Sequence, residues 1–337
     1  MPDTLKTDDL CLAPLRGVTV RTFRNLLAAW FVPPDRAVAP FIPTFAGAKV
    51  KPVLLQDVDP DFGQDIPLVP QVIGKDPEQM RTLLRSFKAL GYACADLNAG
   101  CPWPFVTKKG RGAGLLRDAD ALARLLEVGC EEMPGGFSVK VRLGMDRPGL
   151  LLERLALINA FPLREVAIHA RTAKQMYEGS VLLDAFSEAL AQCRHPVVYN
   201  GDLRTAGDYR RLKARFPGVS RWMIGRGLAT DPFLVQRLRG GEGRPREAER
   251  LKGFLDDYVA LNTEELYGPA SVLGRMKELW GYLHAVLRQG ERAWGAIKIC
   301  RTVDEYRRVV DGLFAAFPGF VDDEALSGIK GEGGAEL

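Results

Sequence analysis

Two groups of residues in this chain could do chemistry. The first is Asp96-Leu97-Asn98-Ala99-Gly100-Cys101-Pro102, where an apolar segment ends at Asn98 and a lone thiol follows three residues on. Glycine permits backbone angles that other residues resist, and proline fixes φ, so Gly100 and Pro102 aim the sulfur of Cys101 rather than leave it mobile. An incidental buried cysteine at a strand-to-loop turn has the same pattern, because free cysteine is often only a small core residue. The second group is Ser138-Val139-Lys140-Val141-Arg142. A period of two puts Ser138, Lys140 and Arg142 on one face and both valines on the other. On a strand covered on both faces, two inward cations need anionic partners, and this strand supplies none. A bound anion answers that need. Two alternatives remain: snorkelling to water from an edge strand, and a Schiff-base lysine whose pKa Arg142 depresses.

The elements that must position these residues alternate. Eight short apolar runs recur at 10–15, 37–42, 68–73, 93–98, 137–143, 165–169, 196–200 and 222–224. Between most of them lie helical patterns at 22–30, 77–90, 118–130, 151–160, 183–193 and 206–216. Strand–helix alternation implies a parallel sheet, and eight apolar strands over this length predict an α/β fold, a closed (β/α)8 TIM barrel. The second unit is the weak one, since 49–58 does not read as a clean helix and leaves room for a hairpin. Polar residues fall at the strand ends: Asn98, Lys140 and Arg142, then His169-Ala170-Arg171, Asn200-Gly201-Asp202 and Gly225-Arg226-Gly227. That rim is where such barrels build active sites, and the loops after strands seven and eight commonly hold a phosphate.

Composition sets the class. The chain has 337 residues, 47% hydrophobic and 26% charged, which suits a soluble globular enzyme with a large core. Its six cysteines show no CxxC spacing, so neither a metal site nor a disulfide framework is expected. No signal pattern or spanning run is seen, which predicts a cytoplasmic, reduced protein, expected to be a monomer. The net charge of +4 allows a polyanionic partner without requiring one. The stretch 103–117 holds Lys108, Lys109, Arg111 and Arg117 beside Trp103 and Phe105 with no acidic residue, a pattern suited to an RNA backbone or to a solvated basic loop.

Beyond Arg237 the character changes. Gly240-Gly241-Glu242-Gly243-Arg244-Pro245 reads as a hinge, and a helical pattern follows to about residue 317. Leu251, Leu255, Tyr258 and Val259 share one face, as do Met276, Trp280, Leu283 and Leu287. The expected division is a barrel over 1–239, a helical domain over 240–321 and a disordered tail over 322–337.

Six ordered motifs now carry a resemblance. Ala13-Pro14-Leu15-Arg16-Gly17-Val18-Thr19, Leu97-Asn98-Ala99-Gly100-Cys101-Pro102, Val139-Lys140-Val141-Arg142-Leu143-Gly144, Ile168-His169-Ala170-Arg171-Thr172, Tyr199-Asn200-Gly201-Asp202 and Met223-Ile224-Gly225-Arg226-Gly227 resemble the successive signatures of the tRNA-dihydrouridine synthases. The resemblance implies an FMN-bearing barrel with a helical tRNA-binding domain that reduces particular tRNA uridines at the expense of NADPH. It implies hydride transfer from reduced FMN to C6 of uracil and a proton from Cys101 to C5. A thiol with a reference pKa of ~8.5 is mostly protonated near neutrality, as a general acid should be.

By matching position, Pro14, Leu15, Arg16 and Gln71 would line the flavin ring, and Lys140 would answer the charge that reduction places on it. His169, Asn200, Gly201, Asp202, Gly225 and Arg226 would hold the ribityl phosphate end. Asn98, Arg142 and Tyr177 would orient the flipped base. Lys108, Lys109, Arg111, Arg275, Lys277, Lys298 and Arg301 would contact tRNA. The segment 275–283 is similar to the branch acting on D-loop uridine 16.

The pattern departs from the family's at Leu15, where methionine is usual, and at Ala39-Pro40-Phe41, where a Thr-Glu or Ser-Glu pair is common. Leu183-Asp184 also lacks a neighbouring aromatic residue. Two other functional classes stay open: a flavin barrel reducing a free pyrimidine or another small enone, and an RNA-binding paralogue without activity.

Overall fold

The computed structural model describes residues 8–47, 50–241, 247–316 and 319–321. Much of the expected hinge and the whole 322–337 tail lie outside the described residues. The chain divides into two compact units. One takes Met1–Pro14, Asp35–Gly201 and Phe216–Met223, the other Leu15–Pro34, Asp202–Arg215 and Ile224–Leu337.

The first unit is built on one parallel sheet of ten strands: β1 (Asp9–Leu12), β2 (Arg36–Val38), β3 (Ile42–Pro43), β4 (Leu68–Val69), β5 (Gln71–Ile73), β6 (Ala95–Ala99), β7 (Phe137–Gly144), β8 (Glu165–Thr172), β9 (Val197–Asn200) and β10 (Arg221–Ile224). Their order is β3-β5-β6-β7-β8-β9-β10-β1-β2-β4. The two ends of that order are joined covalently. β4 and β5 are one run interrupted at Pro70, which has no N–H to give the ladder. On one side this run accepts from Ala37 N–H at Pro67 O (2.9 Å) and from Ala39 N–H at Val69 O (3.0 Å). On the other side Asp96 N–H reaches Pro70 O at 3.0 Å. β2 and β3 likewise form one broken strand, so ten segments make eight staves and the ring closes. The sequence expectation of a (β/α)8 barrel is met. Residues 50–62 contain a short helix (Pro52–Leu55) and a 3-10 turn (Pro60–Phe62), and no antiparallel hairpin is present there among the described residues.

Strand register sorts the interior into layers. Across β6 to β8 the inward rows run Asp96–Ser138–Glu165, then Asn98–Lys140–Ala167, and Arg142 lies opposite His169, which lies opposite Asn200. A buried apolar layer of Cys11, Ala13, Val38, Val69, Ala167, Val198 and Met223 fills the middle of the barrel. Below it, at the first residues of their strands, Arg36 grips Glu165 (2.7 Å) and Asp9 (2.9 Å), and Arg221 reaches Glu165 at 2.9 Å.

The second unit is helical. Arg21–Trp30 packs on Glu247–Glu265, with Phe23 edge-on to Phe254 and Tyr258 and the Trp30 indole donating to Asp257 at 2.8 Å. Pro269–Leu283 buries Met276, Trp280 and Leu283, and the Trp280 indole donates to the Tyr306 hydroxyl (3.0 Å) on Val303–Ala316. No described helix is long and apolar enough to cross a membrane.

Candidate active site

The mouth of the barrel gathers the residues singled out first. Cys101 lies just past β6, 8% exposed. The Asn98 carboxamide oxygen accepts from the main-chain N–H groups of Gly100 (3.1 Å) and Cys101 (2.8 Å), an Asx-type turn that fixes the loop from within. Ala113 N–H binds Cys101 O at 3.0 Å. Gly112 packs so closely here that a Cβ would sit 2.7 Å from Cys101 O and 2.9 Å from Cys101 Cβ, and its φ of +55° also excludes most residues. The glycine-bearing run after the thiol therefore holds it in place.

Arg142 is fully buried and braces two loops. Its Nε donates to Gly100 O (3.0 Å), while Nη1 donates to Thr172 O (2.8 Å) and Met176 O (2.6 Å). The same guanidinium lies 5.2 Å from the ring centroid of Tyr177. Burial pushes Arg142 down to about 10, and like-charged Arg171 adds to the shift. Arg171, also buried, donates to Glu178 O (3.2 Å) and Gly179 O (2.6 Å) and so ties down the far side of the Tyr177 loop. Its Nη1 faces His169 Nε2 at 3.4 Å.

Lys140 stands apart. Among the described residues it has no hydrogen-bond or ion-pair partner, although it sits half-buried between Asn98 and Ala167. Burial, reinforced by Arg142, pushes its ammonium down to about 8. An ammonium held there without a partner is a socket for an anion.

Beneath the mouth runs a chain of buried amides. Asp96 accepts from Ser138 Oγ (2.8 Å) and from Gln71 Nε2 (2.7 Å), and Gln71 Oε1 accepts from Asn98 Nδ2 (2.8 Å). Burial raises the Asp96 carboxyl to about 6 even though both bonds oppose it.

The sequence matches the family model described as Dihydrouridine synthase (Dus) over residues 11–283. The chain belongs to the dihydrouridine synthase family. A "tRNA-dihydrouridine(16) synthase" of Cupriavidus necator is 30% identical over 73% of this chain and 78% of that protein. One of the same name from Ralstonia nicotianae is 28% identical over 91% of this chain and 96% of its own length. The solved old yellow enzyme homologue from Zymomonas mobilis is 10% identical and superposes with a TM-score of 0.51 over 72% of this chain and 91% of that one, a likeness of fold.

The remaining predicted residues of this dihydrouridine synthase divide between the units. In the first, Gln71 is fully buried in the amide chain, His169 and Asn200 are buried at the mouth, and Pro14 is half-buried. Asn200 donates to Met223 O at 2.8 Å. Gly201 has φ +142°, and a Cβ there would meet Val181 at 2.9 Å and His169 Cδ2 at 3.5 Å. Lys108 and Lys109 are exposed beside Phe105, with Lys109 Nζ 3.9 Å above its ring, whereas Arg111 is half-buried.

In the second unit, Leu15 is half-buried, Arg16 is exposed, and Arg226 pairs with Asp202 at 2.8 Å, where Asp202 has φ +40°. Gly225 caps the short Arg226–Thr230 helix. Lys298 and Arg301 are exposed. Arg275 and Lys277 are half-buried, donating to Gly17 O (2.6 Å) and Cys300 O (2.9 Å).

Three contributors to the mouth were not assigned roles from sequence: Asp96, Ser138 and Arg171. The period-two rule that singled out Lys140 also puts Asp96 on the face of Asn98, and Arg171 on the face of His169. That signal was present.

Proposed function

We propose that this protein reduces the C5=C6 bond of a D-loop uridine in tRNA, with FMN as its bound cofactor and NADPH as the reductant. Family membership makes the chain a tRNA-dihydrouridine synthase and an oxidoreductase.

The observation that carries the reading is Lys140, an ammonium with no hydrogen-bond or ion-pair partner among the described residues, in the barrel mouth close to a rigidly held thiol loop. The mouth fits FMN on its own terms. It offers that cation to an anionic ring edge. When bound and reduced, FMN supplies a hydride for C6 of the uracil. The chain's own residues do the rest. Lys140 holds a positive charge where negative charge develops. Cys101 keeps a proton on Sγ for C5. Asn98 and Tyr177 orient the base, and Arg142 braces the loops that carry Cys101 and Tyr177. Within the first unit, Pro14 and Gln71 line the ring, and His169, Asn200 and Gly201 take the phosphate end.

Residues 240–321 serve as a tRNA-binding domain, with Lys298 and Arg301 as exposed contacts. Lys108 and Lys109 serve on the barrel side. Position 16 is favoured because the Ralstonia relative, named for that position, matches across 91% of this chain. The protein works in the cytoplasm as a monomer.

The test is to map dihydrouridine in tRNA from a strain lacking the gene and from the same strain complemented. Loss and recovery at D-loop position 16 are expected. The purified protein should be yellow. Cys101→Ala should keep its flavin and its reduction by NADPH while product formation drops at least ~100-fold. Undiminished product would remove the proton-donor role.

A further inference from the structure

The mouth described above rests on a directional chain of hydrogen bonds. At its upper end the N–H groups of Gly100 and Cys101 require an acceptor, and Asn98 Oδ1 meets both. That leaves the Asn98 NH2 to donate, which it does to Gln71 Oε1 at 2.8 Å. The Gln71 NH2 must then find an acceptor in turn, and Asp96 Oδ2 supplies it at 2.7 Å. Ser138 Oγ closes the lower end on Asp96 Oδ1 at 2.8 Å. An amide can turn over by half a rotation and exchange its donor and acceptor ends. Here neither amide can, because a carboxylate that only accepts fixes one end and two main-chain donors fix the other. All four side chains are buried, so water does not compete for these bonds.

We infer that Asp96 is a positioning residue for proton delivery: acting through Gln71 and Asn98, it sets the orientation of the Cys101 loop. The inference rests on the reading of Cys101 as proton donor. Asp96 has no hydrogen bond to the thiol, to Lys140 or to His169, and its one bond toward the cofactor site is the one it accepts from Gln71. Its influence should therefore fall much more heavily on the step that uses the thiol than on the step that loads hydride.

The chemistry of the chain also says which substitution should be harmless. In Asp96→Asn, Oδ1 can still accept from Gln71 while Nδ2 donates to Ser138 Oγ. The serine hydrogen then turns to Ala95 O, already 3.3 Å away. The direction of every bond above is preserved. Asp96→Ala removes the anchor. Asp96→Ser keeps a polar group for Ser138 but is too short for Gln71, and gives the same test with a smaller perturbation.

The experiment compares the holoenzyme and these variants in two half-reactions, flavin reduction by NADPH and oxidation of the reduced enzyme by tRNA. It also follows the alkylation rate of Cys101 by iodoacetamide, read on the Cys101 peptide by mass spectrometry. For D96A and D96S, oxidation by tRNA should slow at least tenfold, flavin reduction should stay within twofold, and Cys101 alkylation should rise at least fivefold. D96N should stay within threefold of the parent in all three. The double variant D96A/N98A should be no slower than N98A alone, as expected for residues acting in series. Unchanged alkylation in D96A and D96S, equal slowing of both half-reactions, or multiplying effects in the double variant would overturn the inference. So would a D96N defect as deep as that of D96A. If Cys101→Ala forms product normally, the proton-donor reading fails by itself, while the alkylation rates still decide whether Asp96 positions the loop.

Discussion

The two ends of the barrel handle buried charge in opposite ways. At the floor, two arginines meet two carboxylates: Arg36 with Glu165 and Asp9, and Arg221 with Glu165. At the mouth, Lys140 has no such partner, and Arg142 is met by main-chain carbonyls and by Tyr177. A floor whose charges cancel within the protein is a seal. A mouth whose cations do not cancel is unfinished without an anion. The same fold thus supports stability at one end and chemistry at the other, as expected when strand starts govern folding and strand ends govern catalysis.

The largest effect should come from breaking the floor. Arg36→Met leaves the buried Glu165 carboxylate with Arg221 alone, and should lower the unfolding free energy by about 3–5 kcal/mol in a denaturant titration. The protein that stays folded should retain turnover within about twofold. A neutral variant would show that the floor charges are not a seal.

The mouth should respond with the opposite sign. Lys140→Met removes a cation that burial and Arg142 disfavour more than Asp96 favours it, and should stabilise the flavin-free protein on the order of 1–2 kcal/mol at pH 7, with partial solvent access limiting the gain. The same change should weaken flavin retention. The pH dependence has a definite direction. The folded-state value, about 8, lies below the ordinary lysine value, so the folded protein gives up this proton first as pH rises. The wild type therefore gains stability between pH 8 and the ordinary lysine value, and the advantage of the methionine variant shrinks over that window. An advantage that grew there would contradict the assignment.

The smallest effect should come from the exposed loop that follows the thiol. Lys109→Ala should weaken tRNA binding by about 0.5–1 kcal/mol and reduce the slope of log affinity against log salt by about one, as loss of a single phosphate contact does. A fall in affinity with no change of slope would point to lost packing on Phe105.

The mouth was readable in the sequence because period two and strand ends are local signals. Asn98, Lys140, Arg142 and His169 fall where those signals put them. The apolar faces of the C-terminal helices were equally plain, and Leu251, Leu255, Tyr258, Met276, Trp280 and Leu283 are all buried. The floor was hidden, because Arg36 and Glu165 are 129 residues apart and a charged residue at a strand start reads as solvated. Arg275 and Lys277 look like any exposed basic pair, and their bonds to Gly17 and Cys300 exist only in the folded chain. The break at Pro70 was visible, but its place in closing the ring was not.

That closure has a further effect. Each stave has a bonded neighbour on both flanks, so among the described residues the ring presents no free edge to which another chain could add a strand. Trimming residues from β1 would create two such edges at once, and the first sign of damage should be aggregation.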